Sequence, residues 1–297
     1  MSKIVIIGSS NVDLTVRTDH IPSKGETIFG NDLKTAFGGK GANQAVAVSR
    51  LGGDVSFITK LGADSYGDMM AENLLKEGMS AETVIRDPHF PSGIAWICVD
   101  NNGDNSIIVM PGANGTMTAD DLKPFVPLIK SADYLLMQLE IPLEVVEFAA
   151  ATAYENGTKI IINPAPARYL PDSLLAMTYI LTPNEKECML LCGKDVSDDV
   201  RANAEYLLNK GVRNVIVTLG EGGSLLCNAE KQMSVPAVKV DATDTVAAGD
   251  TYSGALCTAL SEGMTMAEAM VFATKASAIS VTRSGAQPSV PYRNEIH

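Results

Sequence analysis

The stretch Val240-Asp241-Ala242-Thr243-Asp244-Thr245-Val246-Ala247-Ala248-Gly249-Asp250-Thr251 crowds small residues together just ahead of an acid. Behind it Ala255, Leu256, Ala259 and Leu260 recur at helical spacing, which predicts a helix opening near Asp250. An Ala-Ala-Gly run at a helix N-terminus leaves several backbone N–H groups unpaired and uncrowded. Together with the positive end of the helix dipole they form an anion site. A carboxylate beside an anion site makes sense if the anion develops during a reaction and the carboxylate accepts the proton of an attacking hydroxyl. That is the chemistry of phosphoryl transfer to an alcohol. Taken alone, Ala-Gly-Asp reads equally as a tight turn with an ordinary N-terminal acid, so the reading depends on what else the chain supplies.

Elements that could position such a site follow from the chain in order. Lys3–Ile7 is a β-branched run ending at Gly8-Ser9-Ser10-Asn11-Val12-Asp13, without the G-x-G-x-x-G spacing of a dinucleotide site. Thr15–Thr18 and Thr27–Phe29 read as short strands joined through Pro22-Ser23-Lys24-Gly25, the start of a small flap rooted at Asp13. Phe37-Gly38-Gly39-Lys40-Gly41-Ala42-Asn43-Gln44 opens a helix through Ala45, Val48 and Leu51 that stops at Gly52-Gly53. It is not a Walker loop, because position 34 is Lys34 and Gly41 stands where Ser or Thr is required. Its glycines are expected to let a small ligand approach the backbone, with Lys40 and Asn43 offering hydrogen bonds. Ile94–Val99 and Ser106–Met110 flank Asp100-Asn101-Asn102-Gly103-Asp104, a hairpin assigned to the same flap.

From about residue 133 strand and helix alternate, the pattern of a doubly wound, mostly parallel sheet in an αβα sandwich. Tyr134–Leu139 ends at Glu140, Lys159–Ile162 at Asn163, Tyr179–Leu181 at Thr182-Pro183-Asn184-Glu185-Lys186-Glu187, and Asn214–Val217 at Thr218-Leu219-Gly220-Glu221-Gly222-Gly223. Ligands of open α/β sheets bind outside the carboxyl ends of the strands, so these clusters are expected to converge. Asn184 and Glu187 also have capping-box spacing.

Composition narrows the class. The 297 residues are 46% hydrophobic, enough for a sizeable core, and the net charge of −12 argues against a nucleic-acid surface. A polyanionic substrate would need local positive groups or metal ions. No apolar run is long enough to span a bilayer and no signal peptide is evident, so a cytoplasmic location is expected. Cys98, Cys188, Cys192, Cys227 and Cys257 lack framework spacing and read as reduced, mostly buried thiols. His20, His89 and His297 are scattered, which leaves a carboxylate as the expected general base.

Asp244-Thr245-Val246-Ala247-Ala248-Gly249-Asp250 and Gly38-Gly39-Lys40-Gly41-Ala42-Asn43-Gln44 resemble the two signatures of the ribokinase-like carbohydrate kinases, and the resemblance covers essentially the whole chain. The family's common form has Gly where this chain has Ala247. The resemblance implies an ATP-dependent sugar kinase, one domain over residues 1–297 with a small β-sheet lid at about 13–36 and 92–110. Asp250 would be the general base and the backbone of Ala247, Ala248 and Gly249 the anion hole. The sugar site carries over to Asn11, Asp13, Gly39, Lys40, Asn43, Glu140 and Asp250. Asn184, Thr218, Gly220, Gly223, Gly249 and Thr274 fall on the nucleotide side, with Lys275 next to Thr274 near the adenine. Glu187 would help organise magnesium (Mg2+) through water. A monovalent cation, usually potassium (K+), is implied at Asp244, Val246, Ser280, Arg283, Gly285 and Ser289, several through backbone carbonyls.

The expected reaction is phosphorylation of ribose at its 5-hydroxyl. A polar Asn11 suits a sugar 2-hydroxyl, and Asp13 suits two adjacent hydroxyls. The alternatives are a sister kinase for 2-deoxyribose, another pentose, fructose or a nucleoside, and a non-catalytic sugar or nucleotide sensor. Cover for the flap sheet by a second subunit makes a homodimer plausible.

Overall fold

Ile4, Val5, Ile6 and Ile7 are all buried, so the first strand needs apolar cover on both faces. In the computed structural model, which describes residues 2–193 and 197–297, it sits inside a nine-stranded sheet. The strands are β1 (Lys3–Ile7), β2 (Asn11–Arg17), β3 (Asp32–Gly38), β4 (Asp54–Gly62), β5 (Val84–Asp87), β6 (Gly93–Val99), β7 (Asn105–Met110), β8 (Tyr134–Met137), β9 (Lys159–Ile162), β10 (Ile180–Leu181), β11 (Asn214–Thr218), β12 (Ser224–Asn228) and β13 (Gln232–Val235). The large sheet runs β13-β12-β11-β10-β9-β8-β1-β4-β5, parallel from β11 to β5, with the antiparallel pairs β11/β12 and β12/β13 at one edge. Strand order reverses at β1, which lies between β8 and β4, and such a switch point opens a crevice at the strands' carboxyl ends.

The two-residue period of β1 divides the core. Val5 and Ile7 join Leu135, Met137, Val145 and Ala149 on one face, while Ile4 and Ile6 join Val46, Phe57, Leu256 and Ala273 on the other. Helices Leu143–Tyr154, Glu185–Cys192 and Val200–Asn209 cover the first face; helices Lys40–Arg50, Ala248–Ser261 and Met266–Ser280 cover the second. This is the αβα sandwich expected from the strand and helix alternation. Among the described residues no helix is long and apolar enough to cross a membrane. Cys188, Cys192, Cys227 and Cys257 are buried, and burial pushes the Cys188 thiol up to about 12.

A second sheet, β3-β2-β6-β7, stands between β1 and β8 in sequence and is separate in space. Its hairpin turn is closed by Asp100, whose Oδ1 accepts from the N–H groups of Asn102 and Asp104. The strand expected at Thr27–Phe29 is not there. Those residues lie in a connection in which Phe29 is 93% exposed, and β2 pairs instead with Asp32–Gly38. The strand β2 also starts earlier than expected, at Asn11. Its register puts Asn11 and Asp13 on one face of this sheet, beside Gly93, Ala95 and Val109.

Candidate active site

Asp250 is the third residue of the helix Ala248–Ser261 and is 5% exposed. Its Oδ1 accepts from Gln44 Nε2 and its Oδ2 from Asn43 Nδ2, each at 2.9 Å. Gln138 Nε2 donates to Gln44 Oε1 at 2.6 Å, and Asn163 Oδ1 accepts from Gln44 Nε2 at 3.1 Å. These partners fix the Gln44 amide, because turning it over would set its carbonyl against two acceptors. Asn43 Oδ1 is buried without a partner. An orphaned acceptor costs about 1–3 kcal/mol, so a ligand hydroxyl donating to it would be stabilised beside the Asp250 carboxylate.

The chain enters that helix through Ala247, at φ 60 and ψ 11, the only non-glycine residue with positive φ among those described. Left-handed backbone costs about 1–2 kcal/mol for a residue with a Cβ, which is why glycine is the common choice at this position. The turn leaves the N–H groups of Ala247, Gly249 and Asp250 without an acceptor among the described residues, while that of Ala248 is bonded to the Thr245 carbonyl at 3.3 Å. Of the expected trio Ala247, Ala248 and Gly249, two N–H groups are thus unpaired, and that of Asp250 is unpaired beside them.

A cavity of about 170 Å³ joins these groups to Lys40, Asn163, Thr182, Asn184, Glu187 and Thr218. The strand-end clusters thus converge as their phase with the strands predicted. Asn184 and Glu187 form a complete capping box, Glu187 Oε2 accepting from Asn184 N at 2.9 Å and Asn184 Oδ1 from Glu187 N at 2.8 Å. Burial raises the Glu187 carboxyl, and Asp250 adds to this while the Asn184 N–H and Lys40 oppose it. Its oxygens suit a magnesium ion that keeps most of its waters. Gly220 and Gly223 form the turn from β11 to β12, outside the cavity lining. Thr274 also lies outside it. It is buried, and its hydroxyl is spent on the Met270 carbonyl at 2.8 Å, because a helical threonine turned into a helix contact bonds its own backbone. Lys275 beside it donates to the His297 carbonyl.

On the other side of Asp250, Glu140 Oε2 accepts from Ser9 Oγ at 2.5 Å and from the Lys40 N–H at 3.0 Å. The Lys40 ammonium is held above its ordinary value chiefly by Asp250, with Glu140 and Glu187 adding and burial opposing. Asp13 is pushed up to about 7, first by burial and then by the Glu140 charge. The glycines here also admit the protein's own neighbouring groups. A Cβ on Gly38 would lie 2.2 Å from Asp13 Oδ2, and one on Gly39 would lie 2.8 Å from Asn11 N, so their space is filled by the protein itself.

The residues expected around a monovalent cation come from two joined segments. Thr243 and Asp244 both donate to the Val281 carbonyl, and Asp244 Oδ1 and Oδ2 accept from Val246 N and Gly285 N. Ser280 donates its hydroxyl to Ser277, Ser289 donates its own to Ala286, and Arg283 pairs with Glu295. The carboxylate, carbonyls and hydroxyl at these positions are an all-oxygen set, suited to a hard cation.

Sequence reasoning missed Ser9, Gln138 and Asn114. Ser9 and Gln138 follow the ends of β1 and β8, the same position that pointed to Glu140. Asn114 lies in a 3-10 turn, Gly112–Thr116, after the second sheet, and nothing in its surroundings marked it.

The model of the pfkB family carbohydrate kinases matches residues 1–293. The chain belongs to that family. Ribokinase from Haemophilus influenzae is 40% identical over 294 residues, covering 98% of this chain and 96% of that protein. Deoxyribokinase from Salmonella typhi is 38% identical over 291 residues, covering 97% and 95%. The solved structure of Arabidopsis thaliana ribokinase complexed with ribose and ATP superposes with a TM-score of 0.92 at 32% identity, covering 99% of this chain and 97% of that one.

Ionised Asp13 accepts from sugar hydroxyls through both oxygens and protonation removes part of that capacity, so KM for the sugar is expected to rise as pH falls through about 7. Glu140→Gln removes a like charge and is expected to move that inflection to lower pH. Because burial is the larger cause, the inflection should stay above the ordinary carboxylate value. Initial rates across pH 5 to about 9 check both, and a KM flat over that range would remove Asp13 from the sugar site.

Proposed function

We propose that the chain phosphorylates D-ribose at the 5-hydroxyl with ATP, giving ribose 5-phosphate and ADP. The observation that carries this reading is the Asp250 carboxylate, fixed by Asn43 and Gln44 beside the unpaired N–H groups of Gly249 and its own residue. Asp250 takes the proton of the 5-hydroxyl as that oxygen bonds to the γ-phosphorus, and the bond to the β-phosphate oxygen breaks to release ADP. The unpaired N–H groups and Lys40 stabilise the charge on the transferred group. Asn11, Asp13, Gly39, Lys40, Asn43 and Glu140 orient the sugar, while Asn184, Thr218, Gly220, Gly223 and Gly249 serve the nucleotide. Magnesium held through Glu187 and water would offset phosphate charge. Potassium beside Asp244, Val246, Ser280, Arg283, Gly285 and Ser289 would reinforce the anion hole electrostatically.

In this reading the second sheet is a lid over the sugar, and the protein works in the cytoplasm, where ATP is available. The lid also carries Trp96, Ile107, Ile108, Val109 and Met110 exposed. That apolar surface supports a homodimer formed through the lid sheets. A kinase for 2-deoxyribose is the second reading, and the polar Asn11 favours ribose over it.

Turnover of ATP with ribose, 2-deoxyribose, fructose and adenosine, with and without potassium, tests the reading. Ribose is expected to give the highest kcat/KM, raised by potassium. Tight ribose binding with no turnover would instead mark a sensor. Asp250→Asn is expected to lower kcat by about 10²–10⁴-fold with ribose binding largely kept. Ile108→Asp should convert the dimer to monomer in sedimentation velocity, and an Ile108→Asp variant that sediments as the wild-type dimer does would place the interface elsewhere.

A further inference from the structure

Asn114 is 1% exposed and touches nothing that reacts, yet all of its side-chain hydrogen bonds run to Ser10 and Asn11, where the chain enters β2. Its Oδ1 accepts from the Ser10 N–H at 2.9 Å. A backbone N–H can only donate, so this bond settles which end of the amide is oxygen. The other end, Nδ2, donates to the Ser10 carbonyl at 3.0 Å and to Asn11 Oδ1 at 2.8 Å. Asn11 is thereby held with its own carbonyl toward Asn114. Its Nδ2 has no acceptor among the described residues, although the side chain is 5% exposed. The contact is built into the backbone on both sides. A Cβ on Gly93 would lie 2.2 Å from Asn114 Nδ2 and 2.3 Å from Asn11 Oδ1, so only glycine leaves room for the two amides to meet.

Asn11 and Asp13 share one face of β2. A hydroxyl between them has one proton to give and lone pairs to fill. Ionised Asp13 can only accept, so it takes the proton, and the oxygen then needs a donor. Asn11 supplies that donor only while its NH2 faces the ligand. We infer that Asn114 is a positioning residue which sets the preference for ribose over 2-deoxyribose by locking the Asn11 amide with its NH2 toward the sugar 2-hydroxyl. The inference rests on the proposed sugar kinase activity and on Asn11 lying in its sugar site. A 2-deoxy sugar would leave the buried Asn11 NH2 unpaired, the situation that gives polar sites their strongest discrimination.

The test is Asn114→Asp. The new carboxylate still accepts from Ser10 N–H but cannot donate to Asn11 Oδ1. Asn11 then turns over to donate to it, and its carbonyl faces the sugar, so that two acceptors meet a hydroxyl with one proton. For ribose kcat/KM is expected to fall about 10- to 100-fold, with less than about threefold change for 2-deoxyribose. Asn114→Ala removes the lock without reversing it and should lower the ribose preference by a smaller factor. Thermal unfolding identifies which variants are folded, and Asn114→Ala decides if Asn114→Asp is not. An unchanged preference in a folded variant, or an equal loss on both sugars, overturns this inference alone. A wild-type protein that turns over no ribose removes the activity beneath it as well.

Discussion

A carboxylate removed from water, that of Asp250, is the constraint on which the rest of this structure depends. Burying a charge costs several kcal/mol unless partners replace its hydration. Asp250 has two amide donors, the positive end of its own helix and the field of Lys40. Residues 43 and 44 lie more than two hundred positions from 250, so these partners meet only because two helices pack face to face over the same side of the sheet. The fit is tight. A Cβ on Gly254 would lie 2.7 Å from Ala47 Cβ and 2.9 Å from the Gln44 carbonyl, so the spacing of the two helices sets the position of the base.

Strand ends were legible in the sequence because strand phase is a strong signal. Where an apolar run stops at a polar cluster, the cluster must lie at the edge of the sheet, and four successive runs ended that way. The helix opening at Asp250 was legible for a similar reason. Conformation within the loops was less so. Ala247 sits in a left-handed turn that its side chain does not favour, and its carbonyl accepts the first bond of the following helix, from the Thr251 N–H. The misplaced strand at Thr27–Phe29 shows the complementary weakness: short β-branched runs form strands only when a partner strand is in register, and β2 offers its register to Asp32–Gly38. Thr274, which the resemblance places on the nucleotide side, donates its hydroxyl to the Met270 carbonyl of its own helix, a bond no sequence spacing marks.

An acidic protein that handles a polyanion must concentrate what positive charge it has. The −12 overall charge works against ATP at long range. Close in, the cavity brings together Lys40 and unpaired backbone N–H groups. Burial and the Glu140 charge push Asp13 up to about 7, and burial and the Asp250 charge raise Glu187. Lys40 is raised by the same acids that would otherwise repel a phosphate, so one ammonium screens the carboxylates of Asp250, Glu140 and Glu187 together.

What orients the ligand-facing groups is a second layer made of neutral amides. Gln138 directs Gln44, which directs Asp250; Asn114 directs Asn11. A charged group in that layer would carry a desolvation cost and would shift the pKa of the group it touches. An amide carries no charge and offers one donor end and one acceptor end, so a single backbone N–H such as that of Ser10 is enough to fix the sense of the Asn114 and Asn11 contacts. The positions of these amides are not marked by any spacing in the sequence, since they arise only where two distant segments touch. Their orientation is nevertheless what turns a polar pocket into one that distinguishes a hydroxyl from a hydrogen.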